Sequence, residues 1–442
     1  MTELRFSETL QYLYERLPMY QRMGAPAMKK GLDNTLNLCW ELGMPQWKFP
    51  SIHVAGTNGK GSVSSMLASI LTEAGYRTGL YTSPHLVSFT ERIRIDGQPI
   101  SEADVVEWVD CYRLVIEQIQ PSFFELTVGM AFEYFAEAAI DIGVVEVGLG
   151  GRLDSTNVIR PELSVITNIG WDHMDLLGNT LEQIAGEKAG IIKKFTPVVV
   201  GKRQAESEQV FAKAAFEHSA PLHFSGDRFR PISLGVEGGV QRFRVGKKIY
   251  DLDLIGAYQA ENLASVLMAV HQLREDGWDI PEDALRRGLR SVRQNSGLRG
   301  RMEQLQAQPQ VICDVAHNRD GLAAVLPQVQ AMAEGRRLHL VWGMAADKDH
   351  DPILTQLPHE ARYYFVRPDV PRGLAADQLQ RKAEAYGLQG EAYASVQAGI
   401  EQALTQATPE DLIYIGGSTF VVAEALPHFQ PQATPQSEMT PQ

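Results

Sequence analysis

A lysine and a hydroxyl set among glycines can hold phosphate, and the stretch from Ser51 to Leu71, SIHVAGTNGKGSVSSMLASIL, carries that set. Amides in a tight turn point at the anion, the lysine adds charge, and a hydroxyl at the start of the next helix offers magnesium a hard oxygen. Gly56, Gly59 and Gly61 let the backbone approach, Lys60 is the cation and Ser62 the hydroxyl. The spacing departs from the common pattern G-x-x-x-x-G-K-[ST], since Val54 replaces the first glycine and Gly61 separates Lys60 from Ser62. Ser83 in TSPH and Glu146 at the end of VVEVG are further hard-oxygen donors. His173 in WDHMD is a softer donor, and its neighbours Asp172 and Asp175 read equally as a capping or surface cluster. Lys188, directly after Glu187 in GEKAGIIK, reads from charge pattern alone as a solvated helix lysine.

These residues need a scaffold that gathers them. The runs SIHVAG, IGVVEVG, ELSVITNIG, TPVVVG, QVICDVAHN, RLHLVWGM, ARYYFV and DLIYIGG are short, rich in β-branched residues and end near Gly, Asn or His. Helix-length amphipathic segments separate several of them, which predicts an α/β chain with mainly parallel sheets and active loops at the carboxyl ends of strands. Ser225 to Leu254 instead alternates polar and apolar residues around Gly pairs, predicting antiparallel hairpins appended to the first domain. After the helical AYQAENLASVLMAVHQLRED, the polar RSVRQNSGLRGRM precedes a new β-α alternation from Val311, which places a boundary near residue 298. The Pro/Gln-rich end, residues 431–442, reads as a disordered tail.

A chain of 442 residues with 44% hydrophobic content can bury two cores. Its net charge of -13 opposes general attraction to nucleic acid or anionic lipid. Cys39, Cys111 and Cys313 form no CxxC pair and are expected as reduced core residues. The charged N-terminus and the lack of any 18-residue apolar run argue against a signal peptide or membrane span, so the cytoplasm is the expected location.

After the glycine loop come YTSPHLVSFTERIRIDG, VVEVGLGGRLDSTN, VITNIGWDHMDLLG, EKAGIIK, YQAENLAS, GRME and DVAHN, in that order. The ordered set resembles the Mur ligase superfamily, in particular its folylpolyglutamate synthases and bifunctional dihydrofolate/folylpolyglutamate synthases, over nearly the whole chain. In that family the loop reads G-T-N-G-K-G-[ST], so the unusual spacing is itself the family's pattern. The resemblance implies a phosphate-loop ATPase domain over 1–298 and a smaller Rossmann-like domain over 299–430 that completes the ATP site and binds glutamate. The implied reaction adds L-glutamate to dihydropteroate and to folates at the expense of ATP, through an acyl phosphate. Folylpolyglutamate synthesis alone, or another Mur-type amino-acid ligation, is the alternative.

The same resemblance assigns roles. Thr57, Asn58, Gly59, Lys60, Gly61 and Ser62 would cradle the nucleotide, with Asn262 at the adenine, Arg301 at the phosphates and Asp314 at the ribose. Ser83 and Glu146 would serve a first magnesium and His173 a second, with Ser62 able to add a loop hydroxyl, a carbamylated Lys188 facing the metal, and a monovalent cation beside them. Carbamylation turns the lysine into an anion facing the metal, and only the neutral amine reacts, a form favoured by burial. His317 would lie near the transferring phosphate, or else serve a capped turn. Ser122, Phe123, Phe124 and Glu125 in SFFELT, with Leu153, Asp154 and Ser155 in RLDST, resemble dihydropteroate-binding segments. Phe123 or Phe124 would stack on the pterin and Asp154 accept from its amino groups, against a reading of the phenylalanines as core. The implied partners are small molecules, with the chain a monomer.

Other readings fail on particular residues. GLGGRL begins like a dinucleotide fingerprint but has Leu153 in the sixth position and too short a segment after it for the helix. No N-K-x-D guanine motif supports a GTPase. A cell-wall Mur ligase would need a further N-terminal domain, and about fifty residues before the loop are too few for one.

Overall fold

The protein is described by a computed structural model, which covers residues 2–24 and 31–429; the proposed tail at 431–442 lies outside the described residues. The first sheet is built from β1 (Ser51–Ala55), β2 (Thr78–Tyr81), β3 (Ile93–Ile95), β4 (Gln98–Pro99), β5 (Ile142–Glu146), β6 (Leu163–Ile166), β7 (Val198–Val200) and β8 (Leu222–Phe224). Their order is β4-β3-β2-β5-β1-β6-β7-β8, antiparallel only where β3 meets β2 and β4. β1 is central, with His53 in register with Val145 of β5 and Ser164 of β6. Strands buried on both faces need continuous apolar runs, and β1, β5, β6 and β7 are buried at every position.

The helices that matter to the site are α1 (Lys60–Glu73), α2 (Phe123–Glu137), α3 (Leu181–Ala189), α4 (Gln259–Glu275) and α5 (Arg319–Met332). Ile52 and Val54 of β1 pack in one core with Val63, Leu67 and Ile70 of α1 and Leu263 and Val266 of α4. On the other face Val145 joins Leu126, Met130 and Phe132 of α2.

Residues 225–254 open with a helical turn, Ser225–Arg228, where hairpin was expected from the first residue. The antiparallel sheet follows: β9 (Ile232–Glu237), β10 (Val240–Val245) and β11 (Lys248–Leu252), ordered β11-β10-β9. A third sheet holds β12 (Glu303–Gln306), β13 (Gln310–Cys313), β14 (Leu338–Trp342), β15 (Arg362–Val366), β16 (Gly390–Tyr393) and β17 (Leu412–Gly416), in the order β12-β13-β17-β14-β15-β16. Only β12 runs antiparallel to its neighbour. Cys39 and Cys313 are buried as expected, but Cys111 is exposed: it ends the helix Glu102–Cys111, past the buried face set by Val105, Val106, Trp108 and Val109. Among the described residues no helix is long and apolar enough to cross a membrane.

Candidate active site

β1 delivers the chain into residues 56–59, and α1 starts at Lys60 with Gly59 as its N-cap. Gly56 has φ 145°, and a Cβ there would lie 1.8 Å from Thr167 Oγ1; Gly59 has φ 86°, and its Cβ would lie 2.3 Å from Asn262 Oδ1. Glycine at both positions is therefore a steric condition of the loop's path. The segment after β6 laces the loop in place. Thr57 N donates to Asn168 O at 2.9 Å, Asn58 N to Asn168 Oδ1 at 3.0 Å, and Thr167 Oγ1 to Asn58 O at 2.6 Å. Lys60 folds back, its Nζ donating to Gly56 O and Thr57 O at 3.1 Å each. Ser62 is buried in the first turn of α1 with Gln259 Nε2 3.4 Å from its Oγ, and Asn262 donates to Gln259 Oε1 at 2.8 Å.

Over this loop opens a cavity of about 260 Å³ lined from Pro18 to Phe420, bringing together Lys60, Lys188, His173, His317, Phe124 and Asp154. Ser122, Phe123, Glu125, Leu153 and Ser155 line it too. Ser122 and Glu125 are a capping box at the start of α2: Ser122 Oγ accepts from Glu125 N at 3.2 Å and Glu125 Oε2 from Ser122 N at 2.6 Å. They shape the wall rather than present free groups to it. Phe123 belongs to the core, 2% exposed, with the Arg92 guanidinium 5.2 Å from its ring centre. Phe124 packs on Gly148, where a Cβ would come within 2.4 Å of the ring. Phe123 thus takes the core reading, while Phe124 lines the cavity and is partly buried against the same core.

Lys188 corrects its local reading as a solvated partner of Glu187. It is 3% exposed, its Nζ donates to Gly56 O at 3.1 Å, and Glu187 pairs instead with Arg152 at 2.8 Å. α3 aims the lysine inward, and adjacency to a carboxylate in sequence is not adjacency on a helix surface. Burial, reinforced by Lys60, pushes its amine down to about 7. Between pH 7 and the ordinary value of 10.5 the unfolded chain then holds a proton that the folded chain lacks, so stability rises with pH across that window. Chemical denaturation in bicarbonate-free buffer should show this rise for the parent relative to Lys188→Met, which has nothing to titrate there. Parallel curves for the two would contradict it.

Glu146 is buried at the end of β5, and Ser83 N donates to its Oε2 at 3.3 Å. Burial raises its carboxyl, opposed by Lys60, the Ser83 amide and Arg301. Ser83, Glu146 and Arg301 line a smaller cavity of about 70 Å³. Among the described residues no three His, Cys, Asp or Glu side chains converge as a metal cage. Magnesium takes one or two carboxylates and completes its shell with water and phosphate oxygens. Ser83 and Glu146 fit such a donor set. His173 caps the helical turn Met174–Leu177, with Tyr20 Oη 2.9 Å from its Nδ1, and burial pushes it down to about 3, so it is a neutral imidazole.

The third sheet closes the site. Asn58 and Asn318 exchange side-chain amide bonds of 3.2 and 3.0 Å, and Asn318 also caps α5 through Gly321 N. Asp172 is nearly buried, not a surface acid. Asn318 donates to it at 3.1 Å, Lys348 at 2.5 Å, and His317 Nε2 lies 3.5 Å away. Burial alone would raise its carboxyl, but the hydrogen bond from His317 and the Lys348 ammonium hold it well below the usual range. Asp175 is exposed, as a surface acid should be. Asp314 spends its carboxylate on Met302 N, Ala316 N and Tyr258 Oη, and Arg301 Nη1 meets the Arg299 and Gly300 carbonyls. Asn262 and Asp314 line neither cavity. Sequence reading missed Tyr20, Arg92 and Lys348 as cavity residues; for Lys348 the position just beyond β14, in AADKDHD, was the available signal.

Residues 54–270 match the Mur ligase middle domain, and residues 300–419 match the Mur ligase, glutamate ligase domain. The chain is 38% identical over 372 residues to the dihydrofolate synthase/folylpolyglutamate synthase of Bacillus subtilis, covering 81% of this chain and 85% of that protein. Folylpolyglutamate synthase of Mycobacterium tuberculosis, solved with ADP and AMPPCP, superposes with a TM-score of 0.86 at 32% identity, covering 98% of this chain and 99% of that one. The bifunctional folylpolyglutamate synthase/dihydrofolate synthase of Yersinia pestis, solved with AMPPNP and a Mn ion, gives 0.81 at 28% identity, covering 96% and 97%.

Proposed function

Since the chain belongs to the dihydrofolate synthase/folylpolyglutamate synthase family of Mur ligases, we propose that the cavity over its phosphate loop is where L-glutamate is joined to dihydropteroate and to folates at the expense of ATP. The observation that carries this reading is the convergence of Lys60 and Lys188 on the Gly56 carbonyl, at the floor of a cavity walled by Phe124 and Asp154. The lining offers charge for phosphate and carboxylate, and a ring and an acceptor for an amino-bearing heterocycle.

Residues 57–62 would hold the triphosphate, with Asn262, Arg301 and Asp314 completing the nucleotide site when the two sheets close on it. Ser62, Ser83 and Glu146 would hold magnesium, which supplies charge neutralisation at the phosphates; His173 and a carbamylated Lys188 would serve a second ion. Lys60 would stabilise the oxyanions of the transferring phosphoryl group, and His317 lines the same cavity. The substrate carboxylate becomes an acyl phosphate, and the amine of glutamate displaces phosphate from it. The acyl phosphate needs a dry site, and the contacts of Asn318 and Lys348 with Asn58 and Asp172 help cover it. On this reading 1–298 is the ATPase and pterin domain, 299–430 its glutamate-binding partner, and the enzyme a cytoplasmic monomer acting on small molecules.

Phosphate release from ATP should require magnesium, a pterin substrate and glutamate together, and dihydropteroate should serve as well as a reduced folate. A coupled phosphate assay with each component omitted in turn checks this. Brisk turnover without glutamate would count against a ligase, while activity with reduced folates alone would leave folylpolyglutamate synthesis as the sole reaction.

A further inference from the structure

Behind the wall of the cavity lies a chain of buried polar groups to which the reaction above gives no part. His53, midway along β1, is fully buried, and its side chain leaves the strand on the face opposite Ile52 and Val54. His53 Nε2 is 2.8 Å from Thr156 Oγ1, and Thr156, also fully buried, sends that hydroxyl to Asp154 Oδ1 at 2.5 Å. Asp154 caps the short helix Ser155–Val158 through Thr156 N at 3.0 Å, and its Oδ2 accepts from Leu149 N at 2.8 Å. The directions of these bonds follow from chemistry alone. A carboxylate only accepts, so the Thr156 hydroxyl donates to it, and its remaining lone pair accepts from His53 Nε2–H. His53 is thereby the neutral tautomer protonated at Nε2, and burial, which pushes the imidazole down to about 3, keeps it neutral.

We propose that His53 and Thr156 are positioning residues: they fix the Asp154 carboxylate in the cavity wall so that its one remaining lone pair, on Oδ2, reads the amino-bearing edge of a bicyclic substrate ring. The proposal rests on the reading of this cavity as the pterin site. It makes substrate selectivity depend on a residue of β1 that touches no ligand, because a hydroxyl with no donor behind it can rotate away from the carboxylate. A chain of bonds polarised in one direction also strengthens each member.

The test is steady-state kinetics with dihydropteroate, MgATP and glutamate varied separately. Thr156→Val keeps shape and removes the hydroxyl, and should raise the KM for dihydropteroate about tenfold, the scale of one bond to a charged group. The KM for MgATP should stay within about twofold, the noise of a site with no shared partner. Thr156→Ser should restore the parent values, and His53→Phe, which reaches the same hydroxyl from its other side, should raise the dihydropteroate KM alone. Asp154→Asn monitors the site itself and should lose at least as much. If Asp154→Asn raises the dihydropteroate KM and both Thr156→Val and His53→Phe leave it unchanged, the relay is overturned and the pterin site stands. If Asp154→Asn also leaves it unchanged, the site reading fails and the relay with it. Equal rises for dihydropteroate and MgATP, with a lowered melting temperature, would mark a general packing role and overturn positioning.

Discussion

Lys188→Arg is expected to lower kcat by about 100-fold or more, the scale of losing one charge-stabilising group from a closed site. The substitution keeps the positive charge, and on a solvated helix it would be nearly silent because the two residues have similar helix propensity. Here the side chain is buried against the Gly56 carbonyl, and its amine, pushed down to about 7, is neutral in a large fraction of molecules near neutral pH. A neutral amine adds carbon dioxide to give a carbamate, and a guanidinium does not. Lys188→Ala should be equally inactive, leaving space in which formate or acetate restores part of the turnover. The modification itself is read by carbon-13 NMR with labelled bicarbonate, since carbamates are labile in acid. Full activity of Lys188→Arg would end the carbamate reading.

The second large effect concerns Lys60 and Glu146, whose alanine variants should each lose about 100-fold or more in kcat while staying folded. Glu146 is a buried carboxylate with Lys60 and Arg301 as cationic neighbours, and Lys60 in turn presses down the amine of Lys188. Removing Lys60 therefore takes a cation from the phosphate loop, raises the Glu146 carboxyl and relaxes the pressure on Lys188. Circular dichroism should show native melting, because neither side chain fills the apolar core. Normal turnover in a folded variant would remove that residue from the site.

Much of this was legible in the sequence because it depends on neighbours in the chain. The eight runs rich in β-branched residues became β1, β5, β6, β7, β13, β14, β15 and β17, whose nearly unbroken apolar runs declare burial on both faces. β2, β3, β4, β8, β12 and β16 were not singled out, since a strand such as Gln98–Pro99 carries too few residues for a periodic signal. The phosphate loop was legible for the same local reason: turn, cation and hydroxyl lie within seven residues, Gly56 to Ser62. Lys188 was misread locally because its environment is made by Gly56, 132 positions away, and no charge pattern encodes that. The Asp172 cluster is equally nonlocal: Asn318 and Lys348 come from 146 and 176 positions on, and only the completed fold turns an apparent surface acid into a buried junction.

A cavity lined from Pro18 to Phe420 also has a history during synthesis. The phosphate loop leaves the ribosome early, whereas Phe420 follows it by roughly 20 to 70 s at translation rates of about 5–20 residues per second. Once Lys188 has been made, and until Asn318 and Lys348 follow it, the chain has its loop, its lysines and its aromatic wall, but not the contacts that help cover them. The nascent chain can thus build a phosphate-binding turn well before it can shelter a reactive acyl phosphate. Its unfinished cavity is an apolar surface that waits for the last strand to be made.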